Sequence, residues 1–144
     1  MSKSSRGFSL LELLLVLALA GLLWSMGWSA WSWLARRLER DRACLVLQQL
    51  AAREQEWKAW HRLYTAQPQQ LGCAESGCVS GRPAAPSYRI DIRLQPDDAG
   101  SSFVLRAEPQ GQQRSDPCGG LQLDQLGALR ADGGQRPCCG TALH

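Results

Sequence analysis

Histidine is almost missing from this chain: His61 and His144 are the only two in 144 residues. With His61 on a helix and His144 at the very end, no Ser/His/Asp or Cys/His arrangement for nucleophilic or general-base work can be argued from them. No glycine-rich phosphate loop occurs either, although there are 14 glycines. The chemistry of an enzyme is therefore lacking. A strong charge of one sign is lacking too, with 16 Lys and Arg against 13 Asp and Glu for a net +3. From Gln67 onward seven arginines meet eight acids, which is poor support for a nucleic-acid surface with its usual basic stripe. Proline and glycine are absent from residues 28–66, so nothing there breaks a helix. Charge is scarcest between Phe8 and Leu34, where Glu12 is the only ionised side chain in 27 residues.

What is present begins with that apolar run. As a helix it reaches about 40 Å at 1.5 Å per residue, enough to cross a bilayer's hydrocarbon core with some tilt. A carboxylate near its start is costly in lipid and calls for a partner. The preceding residues, MSKSSRG, are short, polar and basic. They lie ahead of the apolar run, unlike a secretory signal peptide, which has its small-residue cleavage site after it.

The stretch Arg6-Gly7-Phe8-Ser9-Leu10-Leu11-Glu12 leading into this helix resembles the class III leader of type IV prepilins and type II secretion pseudopilins. The resemblance implies that a prepilin peptidase cuts after Gly7 and methylates the new amine on Phe8. It also implies that Glu12 neutralises the terminal amine of a neighbouring subunit during assembly. The physics agrees, since a glycine lets an active site approach the backbone closely and two unpaired charges in an apolar bundle are expensive. Gly21 matches a glycine common in this helix. Ser29 stands where many major pilins carry a helix-breaking proline, so a more continuous helix is expected.

Chain length leaves room for one membrane helix and one small domain. Trp24, Trp28 and Trp31 share a helical face, and Trp33, Arg36 and Arg37 follow, which reads as an outer membrane-water belt with the head outward. The helix is expected to continue from residue 35 to 66 as an amphipathic segment. Its core-facing stripe is Leu38, Leu45, Val46, Leu50, Trp57, Trp60 and Tyr64, with Arg40, Arg53, Glu54 and Lys58 mostly elsewhere. Residues 67–87, punctuated by proline and glycine, read as a loop. Strands are expected at 88–95 and 103–107 around a turn at 96–100, then at 121–123 and 128–130. The predicted layout is α+β: a long N-terminal helix packed on a small antiparallel meander with a disulfide-stapled tail, which is the pilin fold. The stretch from Tyr88 to Cys138 further resembles minor pilins associated with pilus assembly.

Six cysteines in an exported head read as disulfides rather than metal ligands. Cys73 and Cys78 with Cys118 and Cys138 can be drawn as a four-thiolate zinc site, but two-residue gaps are commoner in such sites. Cys138 and Cys139, adjacent in sequence, should take separate partners. Cys118 with Cys138 or Cys139 closes a loop like the terminal disulfide loop of pilins. Cys73 pairs with Cys78, and Cys44 with the remaining tail cysteine.

The reading is a leader at 1–7, a membrane or filament-core helix at 8–34, an amphipathic helix at 35–66 and an exported head at 67–144. The resemblance implies a minor type IV pilin, without cofactor or metal, serving motility, adhesion or DNA uptake. Its partners would be a prepilin peptidase, other pilins and the inner-membrane assembly platform. It would wait in the inner membrane with its head in the periplasm, then enter a surface fibre. The alternatives are a minor pseudopilin of a type II secretion system and, in another class, a DNA-binding uptake pilin.

Overall fold

The computed structural model describes residues 9–75, 77–95, 101–134 and 138–140, less the side chains of 26 and 28–30. The chain divides into two compact units, residues 1–35 and 36–144. One helix, α1, runs from Leu10 to His61, a length of 52 residues.

Within the first unit the described leucines of α1 cover no core. Leu11, Leu14 and Leu22 are exposed at 75, 59 and 63 %, so this apolar surface is left open among the described residues. Glu12 lies in the first turn, where a carboxylate complements the helix dipole. Among the described residues no helix is long and apolar enough to cross a membrane. The 27-residue run counted in the sequence takes in residue 8 and the side chains of 26 and 28–30, which lie outside the described residues.

The second unit packs α1 on a five-stranded antiparallel sheet. The strands are β1 (Cys78–Arg82), β2 (Ala85–Leu94), β3 (Phe103–Pro109), β4 (Leu121–Asp124) and β5 (Leu129–Ala131). Each pairs with the next in sequence, so the sheet order is the chain order. Alternation puts Tyr88 and Ile90 of β2, Phe103, Leu105 and Ala107 of β3, and Leu121 and Leu123 of β4 on the buried face. Helix residues Ala43, Cys44, Leu47 and Leu50 join them in one core.

Three expectations change here. The 67–87 stretch is not all loop: it holds a 3-10 turn, Pro68–Leu71, and the edge strand β1. Gly81 and the nearby prolines hid β1, yet its ladder pairs Cys78 with Ile90 and Ser80 with Tyr88, and the register shifts only at Gly81. A bulge of this kind is where a strand tolerates glycine. The helix also ends at His61 rather than 66, because Arg62 takes a left-handed φ of 68°. Finally, the buried stripe is rotated from the expected one. Leu38, Leu45 and Trp60 are exposed at 50, 59 and 81 %, whereas Glu54 is fully buried. The expected turn at 96–100 lies outside the described residues.

Three disulfides join Cys44 to Cys139, Cys73 to Cys78 and Cys118 to Cys138, with Cα–Cα separations of 6.1, 5.0 and 5.8 Å. All fall within the separations such bonds allow.

Candidate functional site

The surface richest in chemistry is the C-terminal end of α1 and the turn that follows it. Arg53, Glu56, Trp57 and Trp60 recur at spacings of three and four, so they share one helical face. His61 lies one turn beyond Trp57 and stacks on it, with ring centroids 3.7 Å apart and planes 12° from parallel. The chain then reverses, and the 3-10 turn brings Gln70, Leu71 and Gly72 alongside. Together these eight residues line an open groove of about 430 Å³.

The groove's far wall depends on a close approach. The Arg53 guanidinium donates to the Leu71 carbonyl and lies where a Cβ on Gly72 would be, 2.9 Å from Nη1. Gly72 also adopts φ 75°, so both space and backbone favour glycine there. Beneath the reversal, Thr65 N–H donates to Glu54 Oε2 at 3.1 Å, while Glu54 Oε1 has no hydrogen-bond partner among the described residues. Burial pushes the Glu54 carboxyl above its usual range, and the Thr65 bond pulls it partly back. Tyr64 is pinned between the edge of Phe103, 4.6 Å between centroids, and the Lys58 ammonium, 4.3 Å from its ring.

A second polar cluster braces the opposite part of the unit. Asp116, fully buried, accepts from Arg40 Nη1 at 2.7 Å, from Gln113 Nε2 at 2.8 Å and from Cys118 N–H at 2.9 Å. Gln113 donates also to the Tyr88 hydroxyl. Burial raises the Tyr88 phenol, helped by the Asp116 charge and opposed by the Gln113 bond and Arg40. This network holds the segment before β4.

Of the residues singled out from sequence, Gly7 and Phe8 lie outside the described residues. Glu12 is exposed on α1, and the six cysteines close the three bonds already given. Of the two tryptophans expected in the core stripe, Trp57 packs partly buried against the core and Trp60 is exposed; Arg53 and His61 were given no site role by the sequence. The interleaving of Arg53, Lys58 and Arg62 with Trp57, Trp60 and His61 was the signal that marked this stretch. The charge count from Gln67 also left out part of the head, since the compact unit starts at Arg36. Residues 36–66 add seven cations and four acids, and one of those acids is the buried Glu54.

A family model described as "Type IV minor pilin ComP, DNA uptake sequence receptor" matches residues 31–122. A model of the prokaryotic N-terminal methylation motif matches residues 2–25. Among solved structures, a type IV pilin from Shewanella oneidensis is similar at 26 % identity, with a TM-score of 0.50 over 65 % of this chain and 89 % of that chain. No curated protein matches the chain.

Proposed function

Since the chain belongs to the type IV minor pilin ComP family, we propose that it is the DNA-binding subunit of an uptake pilus. A prepilin peptidase cuts after Gly7 and methylates Phe8. The apolar segment 8–34 then anchors the protein in the inner membrane with its head in the periplasm. Glu12 meets the amine of a neighbouring subunit as the helix enters the fibre. The family match favours this reading over a type II secretion pseudopilin, because its description is that of a pilus receptor for DNA.

One observation carries the DNA reading: the excess of cations over acids in residues 36–66, interleaved with exposed aromatics at the end of α1. Arg53 and Arg62 are exposed there, and Arg62 has no ion pair among the described residues. Guanidinium groups on phosphates release counterions, so affinity falls steeply with salt. Mature full-length protein in detergent, titrated with labelled duplex at several salt concentrations, tests this. A negative slope of log affinity on log salt is expected, reduced by about one when Arg62 becomes Gln. A flat slope, or absence of binding at low salt, overturns the reading.

A further inference from the structure

We infer that the groove at the end of α1 is a slot for an unpaired nucleobase, with Trp60 as its stacking platform. This rests on the DNA-binding reading and adds a preference for single-stranded, frayed or overhanging DNA. Trp60 is 81 % exposed, whereas Trp57, one turn before it, is partly buried against the core. An aromatic ring left in water gains most from a flat apolar partner, and base–aromatic stacking serves every base alike. Inside a duplex both faces of each base are already covered by neighbours, so only an unpaired or terminal base can use Trp60. Trp57 is already covered on one side by His61, which leaves Trp60 as the open ring.

The polar groups agree with a base rather than a phosphate in the groove itself. Glu56 is a carboxylate on its rim; it repels phosphate but accepts from an exocyclic amine or ring N–H on a base edge. Gln70 binds Thr65 Oγ1 through its carbonyl oxygen, and its amide nitrogen has no partner among the described residues. The site therefore offers an acceptor and a donor beside the stacking ring, as a base edge requires. Arg53 and Arg62 stand on either side of Trp60 in sequence, suited to the flanking backbone. The volume, about 430 Å³, falls within the roughly 300–1,000 Å³ of small-ligand sites.

The test uses mature full-length protein in detergent with labelled oligonucleotides of one sequence: single-stranded, blunt duplex, and duplex with an unpaired overhang. The forms with unpaired bases are expected to bind about tenfold more tightly than the blunt duplex, within the usual range for one stacked base. Trp60→Ala should weaken the forms with unpaired bases more than the blunt duplex and so erase that difference, and Trp60→Phe should keep most of it. Equal affinity for all three forms overturns the slot, as does a Trp60→Ala loss that is equal across them. If only blunt duplex binds, the slot falls and the DNA reading stands; if no form binds, both fall. A neutral oligosaccharide that quenches Trp60 fluorescence where DNA does not would reassign the groove to glycans and overturn the proposal.

Discussion

Glu54 is the most strained choice of residue in the head, a carboxylate with no exposure and one oxygen without a partner. Burying an unpaired charge is costly, and the group answers by holding its proton more tightly. The folded chain then binds that proton better than the unfolded chain does. Stability is accordingly greatest with Glu54 protonated, and it falls as pH rises from the ordinary carboxylate range through the raised value. Glu54→Gln keeps an acceptor for Thr65 N–H and cannot ionise. Urea midpoints measured from about pH 4 to 7 should therefore fall less with rising pH in the variant than in the wild type. An identical pH profile would show that Glu54 carries no such cost. Asp116 is the contrasting case, equally buried but with three donors. Arg40→Ala removes its counter-charge and leaves it two neutral donors. A loss of about 3 kcal/mol is expected from urea unfolding, at the low end for a broken buried pair because Arg40 is partly exposed and those donors remain. A loss below about 1 kcal/mol would mean that the pair behaves as a surface bridge.

At the scale of elements, the tail is held by covalent closure more than by burial. The last two strands have four and three residues, too short to be stable alone. The Cys118–Cys138 bond closes a 20-residue separation around them, and the chain-entropy model assigns such a loop about 3 kcal/mol. Replacing both cysteines with serine should lower stability by that order and expose β5 to protease first. Unchanged stability would leave the bond without a structural role. The turn after β5 is equally tight: a Cβ on Gly133 would come 2.0 Å from the Pro117 carbonyl oxygen. Gly133→Ala must displace backbone, so it should destabilise by about 1–3 kcal/mol, as overpacking does, on the same unfolding scale. The Cys44–Cys139 bond spans 95 residues and ties the chain's end to α1, which makes helix and sheet one covalent unit.

For the molecule as a whole, the two units have opposite surfaces. The head buries a core of apolar side chains against itself, whereas the described leucines of the first unit are open. A surface of that kind is stable only in lipid or against other subunits. Co-expression with a prepilin peptidase should shorten the chain by the seven leader residues and leave N-methylated Phe8. Intact mass checks this, and an unprocessed terminus contradicts it. Glu12→Ala should insert into the membrane at least as well as the wild type, because a charge at a helix centre costs about 2.5–3.5 kcal/mol and less near the edge. Its yield in sheared fibres should drop. Normal incorporation would leave Glu12 a membrane-edge residue without an assembly role.

Residues alone were enough to identify the processing motif, the long helix and the sheet alternation, because each is a local pattern. Arg6 to Glu12 is contiguous, helix continuity follows from missing breakers, and Tyr88, Ile90, Ile92 and Leu94 alternate without help from other elements. What folding alone decided is non-local. β1 exists because β2 offers it a ladder, against the glycine and prolines around it. The buried stripe of α1 runs through Ala43, Leu47, Leu50 and Glu54 because the sheet's position, invisible to helical periodicity, selects among several apolar faces. That rotation turned Trp60 from an expected core residue into an open ring beside Arg53 and Gln70, and so produced the groove. Asp116 and Arg40, 76 residues apart, met for the same reason: distant pairing is set by which surfaces pack, not by spacing along the chain.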